Sequence, residues 1–363
     1  MPATPNPSAR RPGKRLHKSN ALAANAPDTD DTTVKQLIIN ADDLGIGESA
    51  NRAIRDAYVD GVLTSASLMA LGPAFEHAVE TVVKPLPKLG VGLHLCLTSG
   101  RCVAAPEKVK RLTDDGGLLC RGFGALMRLS KTADGSHEIE RELDAQFQRI
   151  LEAGVSIDHV NSHRHVHMIP AIFAVVVRLA RRYDCPAIRI SDERIGGRAG
   201  LVRPRNLTVT FVNAPKKLVL GHFSRRARKL ADGLRTCDRT FGILGSGNMD
   251  LAALSDVVAT VADGASEIIT HPGEENNTLS SELSPGDRAF WNAPARFSEF
   301  QALLDARLRQ QIERHGVQLA RYADIGHWNE NEFPRDQLPH YDGHPQRVNR
   351  QSSSSSCNTR EQT

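Results

Sequence analysis

Short apolar runs alternate along this chain with longer segments whose apolar positions recur at spacings of three and four. The first run, QLIIN at 36–40, is continuous, as in a strand covered on both faces. Residues 49–62 then place Ala50, Ala53, Ile54, Ala57 and Tyr58 on one helical face, with Gly61 near the end where a helix stops. The alternation continues. Residues 63–71 read as a strand, 73–83 as a helix, 91–97 as a strand, and 137–153 as a helix with Ile139, Leu143, Phe147, Ile150 and Leu151 on one face. Residues 157–163 form a strand, 170–183 a helix opened by Pro170, 187–191 a strand, 251–261 a helix and 266–271 a strand. Phe297, Phe300, Leu304, Leu308 and Ile312 mark one last long helix, and 317–325 supplies a closing strand. Strands separated by helices imply an α/β fold with mostly parallel strands. The patterned part, 34–328, has the size of one (β/α) barrel or a variant of it.

The flanks differ. Residues 1–33 are rich in Pro, Ala, Asn and charge without a period, and 329–363 is polar and ends in QSSSSSCNTREQT. Both read as disordered tails around a single domain. A net charge of +4 makes no case for nucleic acid as a partner. The six cysteines are scattered with no CxxC pair, which argues for a reducing compartment. The basic N-terminus is followed only by ALAANA, too short for a signal-peptide core, so a cytoplasmic location is expected.

Acids and histidines cluster where the apolar runs end. Asp42 and Asp43 lie just past the first strand, in LIINADDLG. Neighbours on an extended chain face opposite sides, so one carboxylate can bind a metal while the other stays free as a general base. A helix cap or a loop salt bridge is the alternative. His94 interrupts an apolar strand, where a hydrogen-bonded core histidine is the commoner outcome. His163, His165 and His167 alternate in SHRHVH and would share one face of a strand, unlike the i, i+4 pair of a helical zinc motif. Asp158 is placed to orient an imidazole from behind. His271 ends a strand before Pro272-Gly273, as either a general acid or a turn histidine. Two imidazoles, one carboxylate and an open position make a hydrolytic metal site, with a free carboxylate and a further histidine moving protons.

In order along the chain, NADDLG, GLHL, DHVNSHRHVHM and THPG resemble the motifs of the YdjC-like (ChbG/HpnK) carbohydrate deacetylases, over about residues 36–275. The resemblance implies a distorted (β/α) barrel that removes the acetyl group from an N-acetylated amino sugar, as an oligosaccharide or a glycolipid. It implies one divalent metal, magnesium by family precedent, on Asp43, His94 and His163. Ligand softness alone allows zinc, cobalt or nickel. Asp42 resembles the family's catalytic base and His271 its general acid. His165 and His167 become supporting or substrate-contacting groups, and Arg189 a candidate to orient the base. The stretch RTCDRTFGILGSGNMD resembles the hopanoid-associated branch, whereas Leu44 and the Gly after HP depart from the common pattern.

Residues 216–235 carry seven basic residues against Asp232, with Leu220, Phe223, Ala227, Leu230 and Leu234 at helical spacing. An ordinary barrel helix with a solvated basic face is the simpler reading, and peripheral contact with an anionic membrane the alternative. A homodimer is compatible with the sequence. The competing functions are a metal-dependent phosphoesterase, which would call for two metals and more carboxylates, and a non-catalytic saccharide-binding module on the same barrel.

Overall fold

A computed structural model of the chain describes residues 34–193, 207–275 and 279–325, with the backbone alone for 207–212. The segments 1–33 and 329–363, read as disordered tails, lie outside the described residues. The elements run β1 (Lys35–Leu44), α1 (Glu48–Val59), β2 (Ser65–Leu68), α2 (Phe75–Ala78), β3 (Gly90–Leu95), α3 (Phe123–Leu129), α4 (Ala133–Glu152), β4 (Val160–Ser162), α5 (Pro170–Arg182) and α6 (Leu207–Leu230). They continue through β5 (Arg239–Phe241), α7 (Leu251–Val258), β6 (Gly264–Thr270), α8 (Pro285–Trp291), α9 (Ala295–Leu304), α10 (Ala306–Arg314) and β7 (Gln318–Leu319).

The strands pair in the order β4-β3-β2-β1-β6-β5, all parallel, and β7 joins the start of β1 at Gln36 and Leu37. The sheet curls into a half-barrel flanked by helices. Backbone bonds carry the curl further. Val160 N–H donates to Ala187 C=O and Ile188 N–H to Arg235 C=O, so the 186–190 segment bridges β4 toward the approach to β5. The expected strand at 187–191 is therefore reduced to isolated bridges. The expected last long helix is two, because Asp305 leaves the helical region (ψ 123°) and its carboxylate caps α10 through Arg307 N–H.

The concave face sets up the site. Ile38, Asn40 and Asp42 lie two apart along β1 and share one side. Ile38 joins a small apolar cluster with Ala187, Cys237, Ala265, Ala320, Tyr322 and Ile325. Leu37 and Ile39, facing the other way, belong to the main core under the helices. The inner face is thus apolar where the strands begin and polar where they end, the usual place for chemistry in parallel α/β folds.

The basic segment at 216–235 falls mostly in α6, which ends at Leu230. Leu220, Ser224 and Ala227 are buried, while Arg225, Arg226 and Lys229 point to solvent beside the exposed Leu218 and Val219. That is a barrel helix with a basic outer face. No helix among the described residues is long and apolar enough to cross a membrane.

Candidate metal centre and active-site cleft

Asp42 and Asp43 lie within β1 rather than beyond it. Pairing with β2 shifts register between Ala41 and Leu44, and Asp43 has a φ of 66°, in the left-handed region that Asp tolerates better than most residues. The kink defeats the alternation expected of an extended strand, and both carboxylates line the same cleft. Asn51, buried in α1, fixes the turn by accepting Gly45 N–H at 2.7 Å.

Three ligand atoms converge there. His94 Nε2 lies 2.9 Å and His163 Nδ1 2.8 Å from Asp43 Oδ1, and all three residues are buried. The far nitrogen of each imidazole is occupied. His94 Nδ1 lies 2.6 Å from Asn161 Oδ1, and His163 Nε2 lies 3.0 Å from Asp287 Oδ1. Such outer partners fix an imidazole's tautomer and aim its other nitrogen. Burial opposes charge on His163, but Asp43 and Asp287 outweigh it and hold the imidazole well above its ordinary pKa. A divalent cation is the natural replacement for that proton, and the donor set fits one. No other group of this kind occurs among the described residues.

Asp42 is held from several sides. Arg189 grips both oxygens at 2.7 and 2.8 Å, while Asn40 and Asn161 donate to Oδ1 at 2.9 and 3.1 Å. Burial raises this carboxylate's pKa, but the charges of Arg189 and His94 prevail and hold it well below the usual range. Arg189 is itself fully buried and bonds Glu267 on its other edge at 2.6 Å, and Tyr322 donates to Glu267 at 2.6 Å. Asn161 also donates to Ser67, which faces His159 Nε2 at 2.9 Å, and His159 pairs with Asp158. Asp158 therefore supports His159, and not one of the metal-facing histidines as the sequence suggested. The His159 ring lies across Gly92, where a Cβ would stand 2.2 Å from it.

The histidine run is not a strand. β4 ends at Ser162, and His163–Met168 forms a 3₁₀ turn broken by positive φ at Arg164 and His165. Ser162 Oγ accepts His167 N–H at 2.9 Å, which draws the chain into the turn ahead of Pro170. The three imidazoles consequently part company. His163 joins Asp43 and His94. His165 lines the cleft with Nδ1 2.9 Å from Ser191 Oγ, and burial holds it neutral. His167 is sealed between Ser162 Oγ at 2.6 Å and the Arg189 carbonyl at 3.1 Å, where burial pushes it down to about 3.

The cleft encloses about 720 Å³. Its far wall comes from later elements: His271, the 246–248 loop, α8 with Asp287 and Phe290, and residues 293–296. His271 is anchored by its backbone N–H to Glu299 at 2.7 Å and wedged against Phe290 and Trp291, with ring centroids 5.1 and 6.4 Å away. Its buried Nδ1 has no partner among the described residues, and burial pushes the imidazole down to about 4. Lys216 of α6 lines the same cleft, and burial pushes its ammonium down to about 8.

Over residues 36–314 the chain matches the family described as YdjC-like protein. The chain belongs to the YdjC-like family. The resemblance read from NADDLG, GLHL and DHVNSHRHVHM is thereby confirmed. A carbohydrate deacetylase of Geobacillus stearothermophilus is 32% identical over 292 residues, 80% of this chain and 98% of the relative. A carbohydrate deacetylase of Mus musculus is 31% identical over 300 residues, covering 80% and 94%. The Brevibacillus brevis carbohydrate deacetylase is 44% identical over 151 residues, 42% of this chain and 58% of that protein's length. A solved structure from Enterococcus faecalis, 24% identical, superposes on 80% of this chain and 98% of its own with a TM-score of 0.58, which supports the fold.

Asn161, Glu267, Asp287, Trp291 and Lys216 were not singled out as site residues in the sequence. Asp287 carried a local signal, since Ser284-Pro285-Gly286-Asp287 is a helix start, but its partner His163 is 124 residues away. Trp291 is one of only two tryptophans in the chain.

Proposed function

We propose that this YdjC-like protein is a metal-dependent hydrolase that removes the acetyl group from an N-acetylated amino sugar, free in an oligosaccharide or carried by a glycolipid. The observation that carries the reading is the convergence of Asp43, His94 and His163 in a cleft also lined by a clamped carboxylate and an imidazole whose Nδ1 has no partner among the described residues. Asp43, His94 and His163 would hold one divalent ion. Two imidazole nitrogens and one carboxylate oxygen favour zinc, cobalt or nickel over magnesium, which prefers oxygen. Bound there, the ion would polarise the acetyl carbonyl and acidify water.

The chain's own residues move the protons. Asp42 takes one from the attacking water, its position set by Arg189, Asn40 and Asn161. His271, facing the cleft, returns a proton to the sugar nitrogen as the C–N bond breaks, so acetate and an amine leave with protons balanced. At neutral pH His271 is in its neutral form, held there by burial. It donates only after the proton that Asp42 took from water has passed to it, which leaves Asp42 ionised again and orders the steps: water is deprotonated before nitrogen departs. The two-oxygen grip of Arg189 favours a second reading of one detail. Asp42 would then act electrostatically, and His271 would both take and return the proton.

Asn213 and Lys216 of α6, with Ser246 and Asn248 opposite, supply polar contacts for sugar hydroxyls, and Phe290 offers an apolar face. The single metal-competent group among the described residues weighs against a two-metal phosphoesterase. The test is acetate release over N-acetylglucosamine, chitooligosaccharides and glucosaminyl lipids, hopanoid-linked ones included, with different metals added. Release from one class identifies the substrate. Tight sugar binding without acetate across all metals would replace the enzyme with a saccharide-binding module.

A further inference from the structure

One short helix touches two of the proposed ligands and the proposed acid. From α8, Asp287 Oδ1 meets His163 Nε2 at 3.0 Å, and Trp291 Nε1 donates to Asp43 Oδ2 at 3.2 Å. Phe290, between them, packs on His271. Resting on the metal site proposed above, we infer that Asp287 is a positioning residue that commits His163 to bind the ion through Nδ1, while His94 binds through Nε2.

A carboxylate only accepts, so when an ion displaces the proton that His163 shares with Asp43, the nitrogen facing Asp287 keeps its hydrogen and the lone pair falls on Nδ1. That nitrogen is the one 2.8 Å from Asp43 Oδ1. At His94 the roles are reversed, because Asn161 Oδ1 takes Nδ1 and leaves Nε2 toward Asp43. Trp291 engages Asp43 Oδ2, leaving Oδ1 as the oxygen both imidazoles face. Asp287 is held in place in turn. Arg164 donates to its Oδ1 at 2.7 and 3.2 Å, Ser284 Oγ to its Oδ2 at 2.8 Å, and the residue is buried. Arg164 also lines the cleft, so this carboxylate joins the metal ligand to the substrate wall.

The direct experiment is long-range ¹H–¹⁵N NMR of the full chain loaded with Zn²⁺, with histidines assigned from single-residue variants. His163 should show a metal-bound Nδ1 and a protonated Nε2; a zinc-bound Nε2 overturns the inference. A competition titration against a chromophoric chelator gives a second readout. Asp287→Ala should weaken zinc binding roughly 10–100-fold. Asp287→Asn, which keeps an acceptor oxygen, should recover most of it, and metal-free melting should match wild type. Affinity of the Ala variant within about twofold of wild type refutes the role. If the Ala variant fails to fold, the Asn variant and the wild-type spectrum still decide. Wild-type protein that takes up no zinc, cobalt, nickel or magnesium would sink the metal reading itself. Equal uptake by wild type and Asp287→Ala sinks only this inference.

Discussion

The two walls of the cleft are built on opposite principles. On the strand side each functional group is saturated from behind: Asp42 by Arg189, Asn40 and Asn161, His94 by Asn161, and Arg189 by Glu267. On the side made by later loops and helices, His271 keeps a buried Nδ1 with no partner among the described residues. A densely braced network is rigid and specifies geometry, whereas a group with fewer internal partners stays available to a substrate. On the proposed reading, the strand wall would hold the ion and the base, braced from across the cleft by Asp287 and Trp291, and the rest of the far wall would meet the sugar.

The largest effects should come from the groups that handle protons. Asp42→Asn should lower kcat by roughly 10²–10⁴-fold while metal uptake, measured by elemental analysis, stays near one ion per chain. Normal turnover in that variant would remove Asp42 from the chemistry. His271→Asn should lower kcat by a comparable roughly 10²–10⁴-fold with metal affinity and folding unchanged, because this residue belongs to the unsaturated wall. Substantial activity in Asp42→Asn together with loss in His271→Asn selects the second reading.

Next in size is the saturated wall itself. Arg189→Met leaves Asp42 and Glu267 buried without their shared cation. Unfolding by denaturant should show a loss of about 3–5 kcal/mol. A change under about 1 kcal/mol would mean that the two carboxylates find other compensation, and the contrast between walls would blur.

A smaller, graded effect follows from the neutral buried imidazoles. Burial pushes His167 down to about 3 and His271 to about 4, and holds His165 well below its ordinary value. In the unfolded chain each takes up a proton near pH 6.5, so the unfolded state binds more protons between pH 6.5 and about 4. Stability should therefore fall as pH drops through that window, by up to about 1.4 kcal/mol per pH unit for each imidazole. Melting temperatures of wild type and His167→Gln across pH 4–7 check this, and the variant's slope should be shallower. Smallest of all, Lys216→Met should raise KM a few-fold, equivalent to about 1 kcal/mol, with kcat unchanged.

The same contrast explains what the sequence disclosed. Groups on the strand wall sit at the ends of apolar runs, so periodicity located Asp42, Asp43, His94 and His163, and the parallel α/β fold with them. The motifs then named the family. Their orientation was less legible. The kink at Asp43 and the turn at 163–168 arise from register and from Ser162, not from hydrophobic period, so the expected strand geometry failed at both. The other wall is assembled from residues far apart in the chain. Glu299 anchors His271, and Asp287 reaches His163 across 124 positions, pairings that no local pattern encodes. Arg189 entered through the resemblance as a candidate to orient the base, and the curl of the sheet sets it between two carboxylates, a placement its strand position alone does not give.

The central claim is that one divalent ion on Asp43, His94 and His163 drives deacetylation in this cleft. The most direct measurement strips the full chain with a chelator, restores a single metal in steps, and follows bound metal and acetate released from an N-acetylated amino sugar together. The account predicts that activity vanishes on stripping and returns in proportion to uptake, saturating at one ion per chain. Full acetate release from the stripped protein, or activity that requires a second ion, would contradict it.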